Sequence, residues 1–405
     1  MNNRLIVVGG GAAGVMAAII ARRNGSDVTI LERNDRVGKK LLATGNGRCN
    51  YTNRYLRLEN FHGKNKMFIS EVLDSFDVDR TIEFFERLGI TPSIEDDGKV
   101  FPLSYQSSSI LDVLRHEMDH LGVEVLTDSQ VVSIEKDKTF NVKLKDNSIL
   151  NCDKLILATG GMAMPVSGSD GIGHRLAKEL GHTITDLFPS LVQLKLKGNI
   201  FKSIKGVKIL GSVGIYKYNL LLRQDGGDIL FTDYGISGPP ILQLSRIPIK
   251  EDYKDVELRV NLMGNKTFEE VREYLLERFA YMGHKKLTDS LVGFVNKRLI
   301  LPLIKELNLN KDMMVSHLSM KDIEKLANIF TDWRFDIIGN NGWGQAQTTA
   351  GGVETGEIES SSMESKKVDG LYIVGELLDV DGDCGGFNLQ WAWSSGYLAG
   401  LAASN

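Results

Sequence analysis

The sequence predicts an α/β fold in which one domain is built from both ends of the chain and interrupted by an inserted module. An apolar run at 5–8 leads into a glycine-rich turn and an alanine-rich helix. A second apolar run at 371–374 leads into another glycine-rich turn and a last helix. Because consecutive β-α units build parallel sheets, we expect both chain ends to share one sheet.

The middle of the chain has a different pattern, which predicts an insertion. Short β-like segments with turn signals such as Asp225-Gly226-Gly227 start near residue 190, and helical periodicity follows at 267–330. We therefore expect a discontinuous first domain at 1–189 and 333–405. The insertion should contain an antiparallel, barrel-like β module at 190–264 and a helical module at 265–332. A chain of 405 residues is long enough for more than one domain.

The N-terminal glycines have the spacing of a dinucleotide-binding turn. Gly9 permits a tight turn, Gly11 lets the backbone approach a pyrophosphate, and Gly14 lets the helix pack against the strand. The helix N-terminus then stabilises the phosphate charge. The second strand ends in Glu32, 18 residues after Gly14, where a carboxylate holds ribose hydroxyls and disfavours a 2′-phosphate. The pattern predicts a Rossmann-like domain for FAD or NAD rather than NADP.

The C-terminal glycine-rich segment makes FAD the predicted nucleotide. Gly375 permits close approach of the backbone, and Glu376 can bond a ribityl hydroxyl or a pyrophosphate-linked group. Residues 385–388 open the last helix, whose free N–H groups should face the flavin O2/N1 edge, where negative charge develops on reduction. No convincing second Rossmann unit for NAD(P)H is present, so NAD(P)H remains a possible electron donor without a site of its own.

Composition excludes several other classes. The net charge of −4 gives no electrostatic footprint for nucleic acid. No apolar run approaches the roughly 20 residues of a membrane span, and there is no signal-peptide pattern. Three dispersed cysteines indicate a reducing cytoplasm and provide no disulfide-type redox pair. We expect a cytoplasmic protein with a small-molecule substrate and no nucleic-acid or membrane partner. A stripe of Lys and Arg on the inserted module would instead favour an RNA substrate.

Two local motifs imitate functional sites. The segment 116–120 matches H-E-x-x-H, but Asp112, His116 and His120 form a polar row on a predicted helix and no third zinc ligand is evident. We therefore predict no metal site. The segment 168–173 imitates a second dinucleotide loop, but Pro165 and a polar turn precede it instead of a buried strand. It is predicted to be a turn and helix start within the first domain.

Several segments together resemble one bacterial flavoprotein family, the BaiN/YhiN-like or aminoacetone-oxidase-family FAD-binding proteins. These segments are 40–50, 100–102, 231–239, 349–353 and 375–396. The resemblance covers essentially the whole chain. It implies a FAD domain of the two-dinucleotide-binding type with β-barrel-like and helical subdomains. It also implies oxidoreductases linked to oxidation of small amino ketones and to reduction of bile acids. Where the family commonly has His, this chain has Asp233.

The expected FAD contacts come from the glycine-rich segments, the loop after Glu32 and the strand ends. They are Gly9, Gly11, Ala13, Gly14, Glu32, Arg33, Lys40, Thr44, Gly45, Gly47, Arg48, Asn50, Val131, Thr159, Gly160, Gly161, Gly375, Glu376, Asp381, Gly386, Phe387, Asn388 and Leu389. Arg48 is expected to contact FAD, whereas surface charge explains Lys40 equally well. Asp233 and Tyr234 are candidates for a substrate wall, although a structural turn would also explain them.

The predicted function is hydride transfer between flavin N5 and a small organic substrate. The protein could oxidise an amine or amino ketone with O₂, or reduce a steroid-like enone with electrons from NAD(P)H. A flavin-binding regulatory protein without turnover and a flavin-dependent RNA modifier are the alternatives from other classes.

Overall fold

The computed structural model describes residues 4–405. They divide into two compact units, one containing residues up to 189 together with 346–405, and the other containing 190–345. We call these the first and the second unit. Among the described residues, no helix combines the length and apolarity needed to cross a bilayer.

The elements in chain order are as follows. Up to residue 190 the strands are β1 (Arg4–Val8), β2 (Asp27–Leu31), β3 (Thr52–Asn53), β4 (Phe61–His62), β5 (Pro92–Ile94), β6 (Lys99–Pro102), β7 (Glu124–Leu126), β8 (Val131–Lys136), β9 (Phe140–Leu144), β10 (Ile149–Cys152), β11 (Lys154–Leu157) and β12 (Phe188–Ser190). The helices there are α1 (Ala12–Arg23), α2 (Lys39–Ala43), α3 (Lys66–Ser75), α4 (Val78–Arg87), α5 (Ser107–Leu121) and α6 (Ile172–Glu179).

The second unit and the C-terminal segment contain the remaining elements. The second unit has strands β13 (Leu194–Leu196), β14 (Lys208–Lys217), β15 (Leu220–Phe231), β16 (Gly235–Ser237), β17 (Val256–Asn261) and β18 (Trp333–Asn340). Its helices are α7 (Phe201–Ile204), α8 (Pro239–Leu244), α9 (Arg246–Lys250), α10 (Phe268–Tyr281), α11 (Leu287–Ser290), α12 (Lys297–Glu306) and α13 (Met320–Thr331). The C-terminal segment adds β19 (Thr348–Ala350), β20 (Leu371–Ile373), β21 (Asp381–Gly382) and α14 (Phe387–Ser404).

The first unit is organised around a five-stranded parallel sheet in the order β20-β11-β1-β2-β7. Strand β20 comes from the end of the chain, yet it pairs with β11, which pairs with β1. Strands β1, β2 and β11 are buried after their first residues and β20 is buried throughout, as expected for a parallel sheet covered on both faces, whereas the edge strand β7 has no buried residue. The predicted α/β fold with one sheet shared by both chain ends is therefore confirmed.

Helices α1 and α14 pack against each other through their backbones. A Cβ built on Gly396 would lie 2.4 Å from the carbonyl oxygen of Ala13, and one built on Gly400 would lie 2.5 Å from that of Ala17. No other residue fits these positions without moving a helix. The small residues along both helices thus allow the two ends of the chain to meet.

The second unit contains a closed six-stranded barrel in the order β13-β16-β15-β14-β17-β18. All of its paired strands run antiparallel. Helices α10, α12 and α13 share one hydrophobic core with the barrel strands, so the β and helical parts of the insertion form a single unit.

Two sequence predictions about the insertion are corrected by the barrel. Residues from 333 onward were assigned to the first domain, but β18 pairs with both β13 and β17 and closes the barrel, so the second unit extends to residue 345. The predicted turn at Asp225-Gly226-Gly227 lies inside the continuous strand β15. The chain turns instead at Tyr218 and Asn219, which have left-handed φ angles of 51° and 63°, as a tight hairpin requires.

A buried histidine ties the segment after α6 to the C-terminal part of the first unit. His182 Nδ1 lies 3.1 Å from Glu357 Oε2, and the Ser365 hydroxyl lies 2.9 Å from His182 Nε2. Glu357 also accepts hydrogen bonds from Thr183 and Lys367. Burial opposes ionisation of Glu357, but these bonds outweigh it and lower its pKa to about 2. Burial also lowers the pKa of His182.

We predict that Gly400→Ala destabilises the protein by about 1–3 kcal/mol, although alanine raises helix propensity by about 1 kcal/mol. The new methyl group would lie 2.5 Å from the Ala17 carbonyl and separate α14 from α1. Thermal unfolding measures the effect. Gly344→Ala is the control, since its Cβ has no neighbour within 4 Å. Equal melting temperatures for both variants would contradict close packing at Gly400.

We predict that Glu357→Gln makes the free energy of unfolding depend less steeply on pH on the acid side. The native pKa of Glu357 is about 2, below the ordinary value of 4.5. Its contribution is therefore complete above pH 4.5 and is lost as the pH falls toward 2. The lowered pKa of His182 adds a loss of stability as the pH falls below its ordinary value of 6.5. Urea unfolding between pH 7 and 3 tests this, with Glu359→Gln as the exposed neighbouring control. A profile for Glu357→Gln as steep as that of the wild type would contradict the assignment.

Candidate cofactor site

The carboxyl ends of four parallel strands open into one cavity of the first unit. Gly9, Glu32, Thr159 and Gly375, which follow β1, β2, β11 and β20, line it. The cavity encloses about 1280 Å³ of empty space, including its mouth. Open parallel sheets bind ligands at this edge, so the topology alone identifies the cavity as a ligand site.

The three motif glycines have separate geometric roles. Gly9 has a left-handed φ of 103°, and a Cβ there would lie 2.5 Å from the Ala158 carbonyl oxygen. A Cβ on Gly14 would lie 2.0 Å from the Gly9 oxygen, so glycine is needed for helix–strand packing. Gly11 has no neighbour within 4 Å of its Cβ position and lines the cavity. It leaves open space against the backbone, where a pyrophosphate could approach.

Two helix N-termini contribute to the same cavity. Ala13 in the first turn of α1 lines it, as do Asn388 and Leu389 in the first turn of α14. The N-cap residues, Gly11 and Gly386, provide no side-chain hydrogen bond to either helix. The first-turn N–H groups and the positive ends of both helix dipoles are thus available to an anionic or electron-rich ligand.

The side chain of Asn388 holds the loop that precedes α14. Its Oδ1 accepts a 2.8 Å bond from Gly382 N, and its Nδ2 donates a 2.8 Å bond to Gly382 O and a 3.2 Å bond to Asp383 O. These bonds fix the start of the helix at the cavity wall.

Glu32 is a buried carboxylate at the end of β2. Its Oε2 accepts a 2.9 Å bond from Gly10 N, and its Oε1 accepts bonds of 2.8 and 2.7 Å from the backbone and side chain of Asn34. Glu32 therefore braces the glycine-rich turn and also faces the cavity. Its neighbour Arg33 also lines the cavity, and the Arg33 guanidinium donates a hydrogen bond to the Gly168 carbonyl oxygen.

An ion pair joins segments from opposite ends of the chain at the cavity wall. Lys40 Nζ lies 2.6 Å from Glu376 Oε2, and Glu376 Oε1 accepts a 2.9 Å bond from Thr349 N. Both side chains are about one-fifth exposed. Lys40 is thus a residue of the cavity and not a free surface charge.

Two buried hydroxyls in the cavity wall lack a protein partner. Among the described residues, Thr159 Oγ1 and Ser169 Oγ form no hydrogen bond although both residues line the cavity. Buried polar groups are nearly always paired, so these two hydroxyls fit a polar ligand. Nearby, neither ring nitrogen of His174 has a partner in residues 4–405, and burial lowers its pKa to about 4.

The structure brings most of the expected contact residues together. Those lining the cavity are Gly9, Gly11, Ala13, Glu32, Arg33, Lys40, Thr44, Val131, Thr159, Gly160, Gly375, Glu376, Asn388 and Leu389. Those outside its lining are Gly14, Gly45, Gly47, Arg48, Asn50, Gly161, Asp381, Gly386 and Phe387.

Arg48 lies outside the lining of the cavity, and its contact with FAD stays a prediction. Its guanidinium lies 4.6 Å from the Phe101 ring centroid and 3.3 Å from Glu95, and its side chain is 46% exposed. Left-handed backbone angles at Gly45 and Asn46 turn the loop so that the guanidinium makes a cation–π contact with an aromatic ring.

Several glycines outside the lining have packing roles. A Cβ on Gly161 would lie 2.3 Å from Thr349 Oγ1, and one on Gly386 would lie 2.5 Å from Asn50 Oδ1. Phe387 packs edge-on against Phe61 at 6.0 Å. These residues pack outside the lining of the cavity.

The candidates for a substrate wall lie in the second unit. Asp233 is exposed and bonds Lys205 Nζ at 2.7 Å, and this bond lowers the pKa of the carboxyl. The Tyr234 carbonyl accepts a 3.1 Å bond from Leu196 N. Both residues belong to the turn between β15 and β16, whose structural role these bonds explain.

Sequence reasoning missed several residues of the cavity. Among them are six polar residues and one tryptophan: Ser129, Gln130, Ser167, Ser169, Gln347, Thr348 and Trp391. Trp391 is buried, and its Nε1 donates a 3.0 Å bond to Gly375 O. Its position three residues after Asn388 puts both on one helix face, a signal that could have identified it.

The two imitating motifs are structural. Glu117 of the H-E-x-x-H segment pairs with Arg23 at 2.7 Å, and the described residues contain no cluster of metal-binding side chains. The segment at 168–173 forms a turn and the start of α6.

Comparison with known proteins relates the whole chain to one family. A family model described as the HI0933-like protein Rossmann domain matches residues 3–402. The chain is 38% identical over 406 residues to a 3-dehydro-bile acid delta(4,6)-reductase of Clostridium scindens, covering 99% of each chain. It is 30% identical to a ribosomal RNA dihydrouridine synthase of Escherichia coli, covering 97% of this chain and 96% of that one. A 3-ketosteroid-delta4-(5alpha)-dehydrogenase from Rhodococcus jostii shares the fold, with a TM-score of 0.52, 13% identity and coverage of 100% and 97%. The chain therefore belongs to the HI0933-like Rossmann family of FAD-dependent oxidoreductases.

Proposed function

We propose that FAD occupies the cavity of the first unit with its pyrophosphate at the start of α1 and its flavin at the start of α14. The observation that supports this most directly is that both uncapped helix starts line one cavity. The open space at Gly11 admits a phosphate, and the unpaired hydroxyls of Thr159 and Ser169 offer further polar contacts. When bound, FAD supplies hydride transfer at N5.

The protein residues would bind and orient this cofactor. Glu32 retains acceptor capacity for ribose hydroxyls beyond its bonds to the glycine-rich turn. A 2′-phosphate there would face a buried carboxylate, which disfavours NADP. Lys40 and Glu376 provide a cation and an anion for the middle of the cofactor. The N–H groups at the start of α14 would stabilise negative charge on the reduced flavin ring. The bonds from Asn388 to Gly382 hold this helix start in place.

We further propose that the reaction is reduction of a carbon–carbon double bond conjugated with a carbonyl group. The names of the two relatives describe related chemistry: one reduces double bonds of a 3-oxo steroid acid, and the other reduces the C5=C6 bond of uracil. In such a reduction, a hydride would add to the carbon remote from the carbonyl and a proton to the carbon next to it. The electron pair would come from NAD(P)H.

A small enone is the first substrate class to test. The bile-acid reductase is the more similar of the two relatives. An amine or amino-ketone oxidase using O₂ would employ the same cofactor site with the opposite electron flow. The assay must therefore determine the direction of transfer.

Uracil within RNA is a second candidate, favoured by the distribution of charge. Residues 190–345 contain 23 Lys and Arg against 18 Asp and Glu, a net charge of +5, whereas the remaining residues carry −9. The acidic whole-chain balance thus conceals a basic second unit.

We predict that Gly11→Ala lowers the affinity for FAD at least about tenfold, equivalent to about 1.4 kcal/mol, without unfolding the protein. Its φ of −82° suits alanine, and its Cβ position has no protein neighbour within 4 Å. The methyl group would occupy the space assigned to the pyrophosphate. Titration of the FAD-depleted protein, followed by flavin fluorescence, measures the affinity.

Gly356→Ala is the matched control in the first unit, because its Cβ position is also open. It should bind FAD like the wild type. If Gly11→Ala also bound FAD normally, the pyrophosphate would lie elsewhere.

We predict that the anaerobic, reduced FAD enzyme is reoxidised by a conjugated enone faster than by a matched saturated ketone. Stopped-flow absorbance near 450 nm follows the flavin, and mass spectrometry should find a product heavier by two hydrogens. Parallel reactions contain a 3-oxo-Δ4,6 steroid acid and a uridine-containing ribosomal RNA.

Separate reductions with NADH and NADPH identify the donor. Rapid reduction of the oxidised enzyme by amines, with reoxidation only by O₂, would replace the reductase proposal with an oxidase. A protein that binds FAD but reacts with none of these compounds would support the regulatory alternative.

A further inference from the structure

We propose that the second unit carries a docking surface for the phosphate backbone of folded RNA. The surface is a groove between α12, the segment around α7 and β18, and we call it the basic groove. It is lined by the basic residues Lys197, Lys297, Arg298, Lys305 and Arg334. The proposal rests on the RNA arm of the proposed function and identifies the part of the chain that would bind that substrate.

The sequence concentrates positive charge beside this groove. Residues 187–224 contain seven Lys and Arg and no Asp or Glu. Five of the seven lie between 195 and 208, in the segment that runs from β13 through α7 to the start of β14, and all five are exposed. A run of this length without one carboxylate contrasts with the acidic first unit, although Lys205 and Lys208 pair with Asp233 and Asp228 from later in the sequence.

The structure joins this run to a second basic segment on α12. The Arg298 guanidinium donates a 3.2 Å bond to the Ser203 carbonyl oxygen and so connects α12 to α7. Lys297 and Lys305 are exposed along the same helix. Charges far apart in the sequence thus line one concave surface, with about 1920 Å³ of empty space including its mouth.

Acidic neighbours neutralise only part of this surface. Glu257, Glu306 and Asp336 also line the groove, and Lys197 lies 3.4 Å from Asp336. Over the described residues, Lys297, Arg298 and Lys305 of the groove have no carboxylate within ion-pair distance. Exposed, unpaired cations are available to release counterions from a nucleic acid.

The shape of the groove favours RNA over a membrane. A bilayer presents a flat surface, whereas these charges surround a concavity whose floor includes Ile200, Leu301 and Pro302. A backbone with regularly spaced phosphates can follow such a groove, and the apolar floor can contact sugar or base surfaces.

The test uses the full-length FAD-loaded protein with deproteinised ribosomal RNA as the probe. Filter binding between 50 and 250 mM KCl gives the affinity and its salt dependence. The variant Lys197→Glu/Lys297→Glu/Lys305→Glu, at three lysines that line the groove, should lose at least about 30-fold in affinity and about three units of salt slope. Melting temperature and FAD content show whether this variant remains folded.

The matched control is Lys266→Glu/Lys285→Glu/Lys321→Glu, three exposed lysines of the same unit outside the groove. It carries the same change in charge and should retain RNA affinity within about threefold. Equal losses of RNA affinity in the two variants would show that only the net charge of the unit matters, and this result would overturn the proposal. Groove-dependent binding to vesicles containing phosphatidylglycerol, without RNA binding, would overturn it in favour of a membrane surface.

The proposed reaction is tested separately with the wild type. Absence of RNA binding together with reduction of a small enone would overturn the docking surface and leave the reductase proposal standing. The protein could instead bind RNA through the groove but reduce neither RNA nor an enone. That result would support the docking surface and contradict the proposed reaction.

Discussion

The cofactor cavity depends on direct contact between the backbones of α1 and α14. These helices come from opposite ends of the chain, and Gly396 and Gly400 allow them to approach within van der Waals distance of Ala13 and Ala17. That contact fixes two helix starts beside the carboxyl ends of the sheet. A larger side chain at either glycine would separate the helices and move one wall of the cavity, so the shape of the cavity depends on helix packing as well as on its lining residues.

Binding a cofactor and selecting a substrate place different physical demands on the protein. The cavity needs fixed dipoles and few mobile charges, and it has glycine turns, helix starts and one braced ion pair between Lys40 and Glu376. These features can serve any polarised double bond, because they act on the cofactor. Selectivity must then come from residues outside the cofactor site. The charge difference between the two units indicates where such selectivity could arise in a family whose relatives are named for such different substrates.

Local rules predicted the parts of the structure that local geometry determines. The roles of Gly9 and Gly14 follow from a tight turn and a close helix, and both were expected from spacing alone. Arg48 lies outside the cavity lining because it contacts Glu95 and Phe101, which are about 50 residues away in the sequence, and no local rule identifies such partners. The end of the insertion was misplaced for a similar reason, since β18 is identified only by its pairing with β13 and β17. The unpaired hydroxyls of Thr159 and Ser169 have no sequence signature at all.

The barrel has a consequence for the order in which the protein can fold during synthesis. Its first and last strands, β13 and β18, are hydrogen-bonded neighbours, so all of its strands lie within one continuous stretch of chain. That stretch can complete its core while the ribosome is still translating the C-terminal segment. The first unit cannot, because β20 and α14 are made last. The apolar face of α1 must therefore wait for its partner, and we expect the nascent first unit to be the part of the chain that needs protection by chaperones.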